Sequence, residues 1–162
     1  MLVLGVDPGT AIVGYGLVRE EHDGSLTAVH YGVIRTPSQQ AMPERLASIY
    51  NELTALIAAY RPDYAAVEEL FFAKNVTTAI TVAQGRGVAL LALQLAGIPI
   101  YEYKPNMIKQ AISGYGGADK HQMQEMVRVL LNLESIPRPD DAADGLAIAI
   151  THIHNAPYQE YQ

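Results

Sequence analysis

The chain has 162 residues, no cysteine and a net charge of −6. That length suits one domain with a real hydrophobic core, and the missing cysteines exclude disulfides, thiolate metal sites and a cysteine nucleophile. The acidic balance argues against a generic nucleic-acid coat, although residues 70–120 set Lys74, Arg86, Lys104, Lys109 and Lys120 against only Glu102 and Asp119 and could form an electropositive face. The opening residues lack the cationic start of a secretory signal, so a cytoplasmic location is expected. The apolar stretch Val88 to Ile100 is broken by Gln94, Gly97 and Pro99 and is too short to span a membrane.

Residues 2–7 read as a buried strand ended by Asp7-Pro8-Gly9. Residues 13–20 and 26–35 read as two more strands, with His22-Asp23-Gly24-Ser25 as the turn of an antiparallel hairpin. Pro43 to Tyr60 has helical spacing, with Leu46, Ile49, Leu53, Leu56 and Ile57 on one face, and Arg61-Pro62-Asp63 stops it. Tyr64 to Val67 is a short strand running into Glu68, followed by a long helix over Thr77 to Ala96. A strand over Ile98 to Tyr103 precedes helices at Pro105 to Ile112, His121 to Leu133 and Asp140 to His154. The order is βββαβαβααα, which predicts an α/β fold with a mixed sheet and helices on its faces. Residues 1–155 are expected to form one domain, and residues 156–162 a flexible tail.

Carboxylates stand at element ends. Asp7 ends the first strand, Glu68 ends the fourth, and "PDDAADGLAIAI" begins the last helix. Asp141 and Asp144 are three apart and share a helix face, and Asp140 and Asp144 are four apart and can share one too. If the first and fourth strands are neighbours and the last helix crosses their ends, four acids converge. Such a group repels itself unless cations neutralise it. An all-oxygen site suits Mg²⁺ or Mn²⁺ rather than zinc. A simpler reading also exists for each acid: Asp7 as a turn residue, Asp140 and Asp141 as helix-start acids, and Glu68 as a solvated strand end.

Four blocks, "GVDPGTAIVGYGLV", "AVEELFFAKNVTTAITVAQGRGVALL", "IKQAISGYGGADKHQMQEMV" and "PRPDDAADGLAIAITHIH", resemble the RuvC-type Holliday junction resolvases. They occur in order, and the resemblance runs from residue 1 to about residue 155. It implies a ribonuclease H-like fold and a homodimer that nicks two opposed strands of a four-way DNA junction symmetrically. It also implies two divalent metal ions per site, Mg²⁺ with Mn²⁺ able to substitute, and a branch-migration motor as partner. By motif, Asp7, Glu68, Asp141 and Asp144 match the catalytic, metal-binding acids, and Asp140 is left over. Lys109 and Lys120 match basic positions near the scissile phosphate, where a lysine offsets developing charge.

The same resemblance makes Phe71 the junction wedge, with Phe72 beside it, because exposed aromatics stack on unpaired bases. Lys74 and Asn75 are candidate phosphate contacts. Arg86, between Gly85 and Gly87, suits close approach to DNA or to a second subunit, since helical glycines cost about 1 kcal/mol each unless packing repays them. The chain departs from the family pattern at Gly85-Arg86-Gly87 and at Gly145, both expected to loosen helices slightly, and in its acidic balance, which predicts weak non-specific DNA binding. An actin-like or Hsp70-like ATPase also opens on a strand and an Asp-x-Gly-Thr turn, but it needs a second lobe and a second phosphate turn. A non-catalytic junction binder would have lost an acid. A ribonuclease H-like enzyme for RNA–DNA hybrids would lack the Phe71 loop.

Overall fold

The computed structural model describes residues 1–69 and 76–159. Its elements follow the expected order: β1 (Leu2–Asp7), β2 (Ile12–Glu20), β3 (Leu26–Arg35), α1 (Met42–Tyr60), β4 (Tyr64–Glu68), α2 (Val76–Leu95), β5 (Ile100–Tyr103), α3 (Pro105–Ser113), α4 (Lys120–Leu130) and α5 (Asp140–Gln159). The five strands lie in the order β3-β2-β1-β4-β5. Pairing of β1 with β2 and of β2 with β3 is antiparallel, while β1–β4 and β4–β5 are parallel. The sheet is mixed, with β1 at its centre and β4 beside it.

Local chemistry sets the element ends. α1 stops where Arg61 turns left-handed (φ 49°) and its N–H returns to Ile57 O at 2.8 Å. Asp63 then accepts from the Leu2 N–H at 2.7 Å and pins the start of β4 beside β1. β5 begins at Ile100 rather than Ile98, because Gly97 is left-handed (φ 74°) and the Ile98 N–H still serves the end of α2 at Leu93 O. α4 opens on a reciprocal cap between Asp119 and Gln122. It ends before Leu133, since Asn132 adopts φ 52° and the chain leaves the helix. α5 continues to Gln159, so the helix covers the first part of the segment expected to be a tail.

Strand alternation splits the core in two. Leu2, Leu4 and Val6 face α1 and α2, packing on Ile49, Leu53, Ala89 and Leu93. Val3 faces the other way, in the cluster that contains Ile108 of α3, Val127 of α4 and Leu146, Ile148 and Ile150 of α5. Helices therefore cover both faces.

α5 lies unusually close to the sheet, and glycine is the reason. A Cβ on Gly14 would sit 1.9 Å from Asp141 O, one on Gly5 2.0 Å from Gly145 O, and one on Gly16 2.6 Å from Leu146 N. From the helix side, a Cβ on Gly145 would come within 2.5 Å of the Tyr15 carbonyl carbon. These contacts correct the expectation that Gly145 merely loosens the helix. Its missing side chain lets the helix backbone rest on β2. Gly85 has a similar role on the opposite face, where a Cβ would meet Gly9 O at 2.2 Å. Its close approach is to its own chain's Pro8-Gly9-Thr10 turn, whereas nothing lies within 4 Å of a Cβ on Gly87.

Candidate active site

The odd-numbered face of β1 that carries Val3 and Gly5 also carries Asp7, at the strand's C-terminal end. The turn that follows is held from both flanks. Thr10 donates its hydroxyl to Thr81 O of α2, and Thr36 donates to Thr10 O. The Arg45 Nε–H donates to the Thr36 hydroxyl at 2.9 Å. On the other side, the glycine contacts of α5 bring its first turns over the end of β1. Carboxylate oxygens of Asp7, Asp141 and Asp144 consequently lie within 4.8 Å of one another. All three side chains are only partly exposed.

Glu68 does not belong to that tight group. It ends β4, one strand over, and faces Asp144 across a cavity of about 340 Å³ that also holds Lys109 and Lys120. A second cavity joins Glu68 to Asp7 and Pro8.

The electrostatics follow the geometry. Burial, with the charges of Asp144, Glu68 and Asp141 adding to it, pushes the Asp7 carboxyl from 3.8 up to about 8. Asp144 is also raised, first by burial, with Lys120 opposing that rise and Asp141 adding to it. Burial, then the charge of Asp144, raises Glu68, and Lys109 opposes them. Acids crowded this way can stay ionised only with a cation among them. Three carboxylates and no nitrogen or sulfur donor form an oxygen set that fits a hard divalent ion.

Asp140 gains a role that sequence spacing left open. It lies outside the tight cluster and takes Lys120 Nζ at 3.3 Å and an Arg138 N–H at 2.7 Å. It thereby holds Lys120 at the mouth of the cavity lined by Asp144 and Glu68. Arg86, expected at a contact with DNA or a second subunit, lines the cavity shared by Asp7 and Glu68. Its guanidinium pairs with Glu102 of β5, its side chain is 13% exposed, and its Nε is buried without a hydrogen-bond partner. Phe71, Phe72, Lys74 and Asn75 lie outside the described residues. Arg45 and Thr36, which brace the turn after Asp7, escaped the sequence reading. Their signal is a contact between α1, the end of β3 and the turn, and no local motif carries it.

Fold and site together define a class: a ribonuclease H-like, metal-dependent hydrolase with a carboxylate cluster at the end of its central strand. The family model described as "Crossover junction endodeoxyribonuclease RuvC" matches residues 3–152. A crossover junction endodeoxyribonuclease RuvC of Chloroflexus aggregans is 62% identical over 157 residues, which is 97% of this chain and 95% of that protein. The solved structure of Thermus thermophilus RuvC superposes with a TM-score of 0.91 at 38% identity, covering 98% of this chain and 97% of that one. T. thermophilus RuvC in complex with Holliday junction substrate gives a TM-score of 0.89 at 35% identity, covering 98% and 96%. The chain belongs to the RuvC family of crossover junction endodeoxyribonucleases, enzymes that hydrolyse phosphodiester bonds of DNA.

Proposed function

We propose that this protein resolves four-way DNA junctions by symmetric paired nicks, leaving 5′-phosphate and 3′-hydroxyl ends. The observation that carries this reading is the convergence of Asp7, Asp141 and Asp144 within 4.8 Å, with Glu68 alongside. In this reading Asp7, Asp141, Asp144 and Glu68 hold two Mg²⁺ ions, with Mn²⁺ able to substitute. When bound, such a pair supplies an activated water and neutralises charge on the leaving oxygen. Lys120, tethered by Asp140, and Lys109 stand beside the acids and offset negative charge as the bond breaks. The solved complex of a 35% identical relative with a Holliday junction supports the choice of substrate.

Two opposed strands need two sites, and a homodimer supplies them. α2 offers the surface: Ile80, Leu91 and Leu95 are 55%, 51% and 66% exposed, and Gly87 lies open between them. By length and composition α2 with this exposed stripe could also cross a membrane, as the core helix of a soluble protein can. Its other face packs Ala89, Ala92 and Leu93 into the core of the sheet, so a second copy of the helix suits the stripe better than lipid does.

Residues 1–155 act as one nuclease domain in the cytoplasm, where the chromosome is, and a branch-migration motor is the partner that the family implies. Incubating the protein with a labelled four-way junction in Mg²⁺ or Mn²⁺, beside Asp7→Asn, tests the core of the reading. Paired nicks by the wild type, with binding but no cutting by the variant, are expected. Binding without cutting by the wild type in both metals would overturn the assignment of an active nuclease.

A further inference from the structure

Two pockets flank the Pro8-Gly9-Thr10 turn, and both touch Val82 of α2. One has Asp7, Glu68 and Glu69 in its wall, with Arg86 beside them. The other, of about 350 Å³, has no carboxylate in its lining. Gly9, Thr10, Thr78, Thr81 and Arg45 line it.

Arg45 is placed there deliberately by its surroundings. It sits in the first turns of α1, half-buried, with its Nε–H donated to the Thr36 hydroxyl at 2.9 Å. Thr36 in turn donates to Thr10 O, so the guanidinium is registered against the turn that carries Asp7. Among the described residues Arg45 makes no ion pair. The pocket that it lines has no anion of its own. A guanidinium with no acid partner is available to an anion from outside. An arginine fork matches a phosphate in shape and charge.

Resting on the junction-cleaving reading, we propose that this pocket is a DNA-phosphate subsite. A backbone phosphate next to the scissile one sits on Arg45, across the Pro8-Gly9-Thr10 turn from the metal-binding acids. One strand then meets alternating partners: acids bridged by metal at the scissile phosphate, and a guanidinium at its neighbour. In a chain of net charge −6, an anchor at this position selects strands already threaded through the site.

The test uses Asp7→Asn as the parent, so that binding is read without cutting. The affinity for a labelled four-way junction is measured against salt concentration for the parent and for the parent carrying Arg45→Gln or Arg45→Lys. Arg45→Gln is expected to weaken binding about tenfold and to reduce the slope of log affinity against log salt by about one, while Arg45→Lys keeps the slope. An unchanged slope and affinity with Arg45→Gln, together with a lowered melting temperature, would show that Arg45 only braces the turn and would sink the subsite. Failure of the Asp7→Asn parent itself to bind the junction overturns the junction-cleaving reading, and the subsite with it.

Discussion

Asp7 illustrates how a single residue acquires its chemistry from its neighbours. An aspartate at a strand end is ordinary; one packed beside Asp144 and Asp141 holds its proton up to about pH 8. The consequence for stability has a definite sign. The folded pKa lies above the unfolded value, so the stability Asp7 contributes is full below about pH 4 and is lost as pH rises through about 8. Asp144 and Glu68 are raised too and act in the same direction. In chelator, wild type and Asp7→Asn should melt together near pH 4, and the variant should melt higher by about 2–5 °C near pH 8. Mg²⁺ or Mn²⁺ should close that gap by stabilising the wild type alone. A gap that does not widen with pH would contradict the crowding described here. Calorimetric scans across the pH range suffice.

At the scale of elements, the site depends on how closely α5 approaches the sheet. Ala142 and Ala143 are buried between Asp141 and Asp144, and Gly5, Gly14 and Gly16 leave the strands bare beneath them. Gly14→Ala would drive a methyl group into the Asp141 carbonyl and should destabilise the fold by about 1–3 kcal/mol. It should also lower cleavage at saturating metal, because the start of α5 must lift from Asp7; thermal melts and single-turnover rates would reveal both. The elements themselves could be read in advance. Turn residues and apolar periodicity delivered all ten in order, with Asp7 and Asp144 marked by position and Asp141 chosen over Asp140 only by the family resemblance. What escaped was contact between distant segments. Gly145 looked like a helix weakness because its neighbour is Tyr15, far away in sequence. Arg45 went unmarked because Thr36 and the Thr10 turn reach it only in the folded chain. Arg86 looked available because Glu102, on another element, neutralises it.

For the molecule as a whole, apolar surface and charge are unevenly placed. Among the described residues, the long exposed stripe on α2 is the feature that one copy does not satisfy. Leu91→Glu should shift a dimer toward monomer, read by sedimentation or light scattering. It should convert paired nicks to uncoupled single ones while sparing the carboxylate cluster, which lies on the other face of the sheet. A variant that stays dimeric would move the interface elsewhere.

The carboxylate cluster also joins the first strand of the chain to its last helix. Asp7 is made well before Asp141 and Asp144. Closing so long a loop is slow relative to local structure. On the ribosome, the growing chain can build the β1–β2–β3 meander and α1 early, yet it has no metal cage until α5 emerges. Premature termination before Asp140 therefore yields a fragment without nuclease chemistry. The arrangement ties the power to cut DNA to synthesis of α5.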